Sequence, residues 1–281
     1  MYAGALLLGA WSMVPLYWML CMSVMHKAEI VSVPAHLVPH QPTLSNFAVI
    51  FDLPAFGMQG EPLPRLGQAW VLMLGLRNSV LVAVPVTIIT AVIALPMAYA
   101  LARLQFRFKS GLLVALLSAR SYPPIATIIP FSWLFFQVGL QGTISGLILV
   151  QLTGTIPLCA WIMSGVFAML PRNVEAAARV DGLTRFGALY KIMIPLAMPG
   201  VSACAVIAFM ICWNEFAFAY LLTAGAPWAQ TYPPLLPNFF FMVANTNLFA
   251  AVSIVGMLPP MILATVFQRR ISSLNFVNPI S

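Results

Sequence analysis

An all-α polytopic membrane protein with six transmembrane helices is the fold class this sequence predicts, on three observations. The chain of 281 residues is 62% hydrophobic and 7% charged, with a mean hydropathy of +0.96. Its apolar residues fall in repeated stretches long enough to cross about 30 Å of hydrocarbon as helices. Its basic residues gather in the segments between those stretches, the pattern that orients spans in a membrane. The net charge of +7 therefore marks topology, and nucleic acid is not an expected partner. The whole chain, 1–281, reads as a single transmembrane domain with no long-period repeat.

The first span covers about 3–25; it lacks a basic n-region and a cleavage site, so it reads as a span and not as a signal peptide. Residues 26–77 form the longest loop, in which Pro34, Pro39, Pro42, Pro54, Pro62 and Pro64 break any long helix. All three histidines, His26, His36 and His40, lie there and read as solvated loop residues, because no Cys or carboxylate cluster accompanies them; no metal site is expected. The second span, about 78–102, opens on Asn78-Ser79, a candidate cap, and is followed by Arg103, Arg107 and Lys109. The third, about 111–136, is broken by Pro123, Pro124 and Pro130 and holds an unusual charge, Arg120. The fourth covers about 143–170, the fifth about 197–223 with Asn214 and Glu215 inside it, and the sixth about 247–268, ending in Arg269-Arg270. Cys21, Cys159, Cys204 and Cys212 all fall within apolar segments and read as small packing residues. Placing Arg103, Arg107, Lys109, Arg172, Arg179, Arg185, Lys191, Arg269 and Arg270 on one side collects nine of the 13 basic residues. That bias predicts a multi-pass protein of the cytoplasmic (inner) membrane with both termini in the cytoplasm.

Between the fourth and fifth spans, 171–196 concentrates Arg172, Glu175, Arg179, Asp181, Arg185 and Lys191. Charges at that density are too costly for hydrocarbon, at roughly 3 kcal/mol or more each, so the segment is aqueous. It reads as two short helices. Pro171 suits a first turn, Glu175 lies where the helix dipole favours an anion, and Arg179 follows at i+4 as its expected ion-pair partner. Ala176, Ala177 and Ala178 favour helix and leave a smooth face. Gly182 is a candidate left-handed cap and Thr184 an N-cap for a second helix running to Lys191.

Glu175-Ala176-Ala177, then Asp181-Gly182, then Ile192-Met193-Ile194-Pro195 resembles the EAA loop of ATP-binding-cassette importer permeases. Three further stretches resemble the maltose-type carbohydrate branch of that superfamily: Pro42–Phe47, Ala98–Arg103, and Cys212-Trp213-Asn214-Glu215-Phe216. The resemblance spans about 40–270, while the tail Ile271–Ser281 departs from the branch's usual endings. It implies the type I importer permease fold, with Glu175, Ala176, Ala177, Arg179, Asp181 and Gly182 forming the element that docks on an ATPase. It also implies a second homologous permease, two ATP-binding-cassette subunits and an extracytoplasmic substrate-binding protein as partners, within membrane lipid. ATP and Mg would be held by those ATPase subunits and no cofactor by this chain, which carries no GxxxxGK[ST] loop.

The remaining candidates admit two readings each. Glu215 with Asn214, Arg120 and Tyr122 is either a polar patch on the translocation path or a buried hydrogen-bonded or ion-paired lock between helices. The loop 224–246 carries no charged side chain, and its Trp228, Tyr232 and Asn238 either face the binding protein or pack as a re-entrant plug. The expected function is a permease subunit that imports a carbohydrate by alternating access and has no enzymatic activity of its own. The alternatives are an anionic sugar or glycerol-3-phosphate as substrate and, from another class, an ion-coupled secondary transporter, for which one intramembrane carboxylate is thin support.

Overall fold

The computed structural model describes residues 2–34, 36–63, 67, 69–121, 123–237 and 246–272, with the side chains of 2, 3, 117, 120, 124 and 269–272 outside the description. In chain order the helices are α1 (Tyr2–Ser23), α2 (Lys27–Ile30), α3 (Ser45–Ile50), α4 (Ala69–Arg103), α5 (Lys109–Ser121), α6 (Pro124–Gln137) and α7 (Ile144–Met169). They continue with α8 (Arg172–Val180), α9 (Arg185–Ala188), a π-helical turn (Leu189–Met193), α10 (Ile194–Leu196), α11 (Met198–Trp213) and α12 (Ala217–Leu222). Two 3₁₀ turns, Pro227–Ala229 and Pro233–Leu235, precede α13 (Thr246–Ser272). Among the described residues, four helices are long and apolar enough to cross a membrane unaided: α1, α4, α7 and α13.

The other two predicted spans are broken, and the sequence holds the reason for each. The third is two helices, α5 and α6, separated before Pro123-Pro124. A residue preceding proline is pushed out of the α region, and Pro124 then suits the first turn of the next helix. The fifth stops at Trp213 and restarts at Ala217, so Asn214 and Glu215 sit in a gap and not within a continuous span. The second span also differs from expectation: α4 starts nine residues earlier than Asn78. Its 35 residues extend about 52 Å at the α-helical rise. Asn78 is 1% exposed and donates from Nδ2 to the Trp228 carbonyl at 2.8 Å, so it is an interior residue and not the cap. The capping role falls to Asp52, whose carboxylate accepts from the Gly67 and Ala69 N–H groups at 2.8 and 3.1 Å.

The chain divides into two compact units. One comprises Met1–Arg77 with Gln230–Pro259, the other Asn78–Ala229 with Pro260–Ser281. In the first, Val49, Ile50, Leu72, Tyr232, Leu235, Leu248, Ala251 and Val252 form the core. Asn46 ties it together, donating to the Ser23 and Met25 carbonyls while its Oδ1 accepts from Asn247 at 2.7 Å. In the second, small residues let α4, α7 and α11 approach: Gly200 lies so close to Val166 that an added Cβ would meet it at 2.8 Å. Ala94, Ala98, Tyr99, Met163, Phe167, Leu189, Met193 and Ala197 share that second core. The π-helical turn of the predicted loop is thus packed into the ends of the spans.

Candidate functional site

The segment 171–196 folds as the two-helix elbow its sequence predicts, and its turn is a Schellman motif. Leu183 donates to the Ala178 carbonyl at 3.1 Å and Gly182 to the Arg179 carbonyl at 3.2 Å, closing the last carbonyls of α8. Gly182 has φ +89°, the left-handed value that glycine adopts without a Cβ penalty. Thr184 Oγ1 then caps α9 by accepting from the Gly187 N–H at 3.1 Å. One turn before Pro195 the helix widens into its π form, with Ile194 donating to the Leu189 carbonyl. Proline cannot donate to the carbonyl four residues back, and widening relieves its clash there. The I-x-x-P ending thereby converts into geometry: the axis turns by 82° at Ala197 between Arg185–Leu196 and Met198–Trp213.

The elbow has an inner and an outer face. Ala178 is 5% exposed, whereas Ala176, Ala177, Arg179, Asp181 and Gly182 are exposed and Val180 and Phe186 are 88% and 67% exposed. Small residues beside two apolar side chains make a smooth platform suited to another protein surface.

Glu175 points the other way, and its partners correct the expected pairing with Arg179. Its carboxylate accepts from the Tyr99 hydroxyl at 2.5 Å and lies 3.8 Å from Arg103 Nε. Arg103, with 4% of its side chain exposed, also donates to the Leu170 carbonyl at 2.5 Å. Tyr99 and Arg103 stand four residues apart at the end of α4, so one helix face clamps the first turn of α8 and the carbonyl of Leu170, the residue that follows α7. Their roles were not assigned from sequence. The available signal was the tyrosine and arginine at i, i+4 in the otherwise apolar Ala98–Arg103.

The span candidates resolve unevenly. Glu215 accepts from the Phe218 and Ala219 N–H groups at 2.8 and 2.9 Å, capping α12 with both oxygens. Asn214, exposed, donates back to the Met210 carbonyl at 2.8 Å. The Arg120 side chain and all of Tyr122 lie outside the described residues, and so does any pairing of Arg120 with Glu215. Trp213 is 3% exposed and stacks on Phe209 with centroids 5.5 Å apart, which assigns it to packing. In the loop 224–246, Trp228 is 65% exposed. Of the two readings of Tyr232, packing holds: it is 2% exposed, and its hydroxyl donates to the Val252 carbonyl. Burial raises its phenol pKa, which keeps the group a neutral donor. It is a packing residue because Gly256 leaves room for its ring. Asn238 lies outside the described residues.

Residues 80–274 match the family described as binding-protein-dependent transport system inner membrane component. The sulfoquinovosyl glycerol transport system permease protein SmoH of Agrobacterium fabrum is 31% identical over 92% of this chain and 85% of that one. The trehalose transport system permease protein SugB of Mycobacterium tuberculosis is 30% identical over 93% of this chain and 89% of its own length. Among solved structures, a bacterial ABC transporter involved in import of the acidic polysaccharide alginate has the same fold. It has a TM-score of 0.74 at 20% identity, over 95% of each chain.

Proposed function

The chain belongs to the family of binding-protein-dependent transport system inner membrane components, and we propose that it is a permease subunit of an importer for a carbohydrate. The observation that carries the mechanism is the clamp of Tyr99 and Arg103 on Glu175. It joins the elbow to the end of a spanning helix, while the opposite face of the elbow stays open for an ATPase subunit. In this reading the elbow is cytoplasmic and moves as a rigid body when two partner ATPases close on ATP and Mg. The spans of this chain and of a homologous second permease then exchange inward- and outward-facing states. An extracytoplasmic binding protein delivers the substrate.

The carbohydrate class is supported by relatives named for sulfoquinovosyl glycerol and trehalose transport. The likeness to an importer of an acidic polysaccharide concerns the fold, so a neutral and an acidic sugar stand as distinct outcomes of one experiment. Proteoliposomes holding the assembled importer are given ATP inside and loaded binding protein outside, with a neutral disaccharide or an acidic sugar as cargo. ATP-dependent uptake of either one supports the importer and selects the class. Uptake driven by an ion gradient without ATP would assign the chain to secondary transport instead.

A further inference from the structure

The broken fifth span carries a surface that neither the elbow nor its clamp uses. The axes of Arg185–Leu196 and Met198–Trp213 meet at 82°. With α11 crossing the membrane, the charged elbow therefore runs close to the membrane plane, and α11 starts near one boundary. Its 16 residues advance about 24 Å at the α-helical rise, short of the roughly 30 Å of hydrocarbon. The break at Asn214–Phe216 thus lies before the far boundary. Backbone without helical bonds is tolerated at such depth only inside protein or beside a water-filled path. Asn214 is exposed there, and with Nδ2 donating to the Met210 carbonyl its Oδ1 remains to accept from a ligand.

Beside that amide is an aromatic pair. Phe216 and Tyr220 stand at i and i+4, on one face of the chain entering α12. Their rings are 15° from parallel with centroids 5.4 Å apart, and the residues are 41% and 48% exposed. That spacing exceeds the roughly 3.5–4.0 Å of touching carbon layers, so the rings are offset and present a stepped apolar surface. On the opposite side of α12, Phe218 meets Phe131 of α6 edge-on at 5.8 Å, and Glu215 caps the helix. The pair is therefore held in place before any ligand arrives. Lipid tails offer no partner to the Asn214 amide. A sugar ring matches both features: its C–H bonds present weakly positive hydrogens to the negative ring faces, and its hydroxyls reach the amide. Glu215 is the only charged residue in 192–268, so this stretch holds no cation to attract an anion. We propose that Phe216 and Tyr220, with Asn214, form a station on the transport path for the uncharged face of one sugar ring of the cargo. The station rests on the carbohydrate reading of the importer.

Tyr220→Cys and Phe216→Cys are each assembled with the partner subunits and binding protein in proteoliposomes. The complexes are held by a non-hydrolysable ATP analogue and treated with a water-soluble methanethiosulfonate. The four native cysteines are buried, and wild type supplies the blank. The cargo is trehalose or sulfoquinovosyl glycerol, whichever the uptake experiment selects; each carries a pyranose ring. Modification that is slowed several-fold by the cargo supports the station. No modification at either position would overturn it, by giving this face to lipid or to the second permease. An equal rate with and without cargo would overturn it as well. Uptake per ATP hydrolysed is then expected to fall several-fold in Tyr220→Leu, which keeps apolar bulk, and to stay near wild type in Tyr220→Phe, which keeps the ring. Equal losses in the two variants would remove ring stacking from the path. A wild-type importer that takes up neither sugar with ATP refutes the carbohydrate reading itself. Normal wild-type uptake that Tyr220→Leu leaves unaltered removes the station alone, so the two failures are distinct.

Discussion

Arg103 is almost wholly withdrawn from water, and what compensates its charge is a carboxylate in a different part of the chain. Breaking such a pair from one side leaves an orphan charge, a cost of about 3–5 kcal/mol. Arg103→Ala is therefore expected to lower the unfolding free energy by that order. Arg103→Ala/Glu175→Ala should recover part of the loss, because no unpaired carboxylate remains. Chemical denaturation of the three variants in detergent checks this, and strictly additive losses would argue against the clamp. Glu215 makes a weaker case. Its bonds are those of a helix cap, worth about 0.5–2 kcal/mol, so Glu215→Ala should cost that and not the several kcal/mol of a broken ion pair. A larger loss in the same denaturation experiment would show that the carboxylate does more than cap α12. At this scale the sequence exposed the odd residues, Glu175 and Glu215, but not their partners. Those partners lie 76 positions away for Tyr99 and 72 for Arg103, and in the backbone itself for Glu215.

The elbow was legible because each of its devices is local. A cap needs a residue within three positions, a Schellman turn needs one glycine, and a π turn needs one proline. Gly182→Val is expected to disturb this element most, since a left-handed φ costs a substituted residue on the order of 1–2 kcal/mol. The permease pair should still assemble in the membrane while ATP hydrolysis no longer drives transport. Uptake and ATPase rates measured side by side test this, and a wild-type ratio of the two would remove the elbow from the coupling path. The broken spans were half legible. Pro123-Pro124 announced the break between α5 and α6, but apolar composition made 197–223 look continuous. Hydropathy counts transfer free energy and is blind to where backbone hydrogen bonding is interrupted. The gap at Asn214–Phe216 exists because Glu215 caps a new helix there, an arrangement that composition does not encode.

Across the whole chain, the long uncharged loop 224–246 illustrates how burial sorts residues of similar chemistry. Trp228 and Tyr232 are four positions apart, yet one is 65% and the other 2% exposed. Of these two, only Trp228 is open to a binding protein. Trp228→Ala is expected to leave basal ATPase activity unchanged and to weaken its stimulation by loaded binding protein. Because the loop itself carries no charged side chain, raising the salt concentration should change that contact little. An ATPase titration with loaded and empty binding protein in proteoliposomes decides it; an unaltered stimulation curve would return Trp228 to a lipid- or packing-facing role.

The sequence by itself determined the membrane class, the positions of the apolar helices to within a few residues in most cases, and the elbow. Each of these follows from composition or from residues adjacent in the chain, where solvation and backbone chemistry act locally. Only the tertiary structure decided that Glu175 belongs to Tyr99 and Arg103 and not to Arg179, that Asp52 starts α4 while Asn78 is buried within it, and that Tyr232 faces inward. These outcomes depend on which distant segment excludes water from a given group. A polar side chain takes whatever partner the packed chain brings within hydrogen-bond reach, and that choice is made in space and not along the sequence.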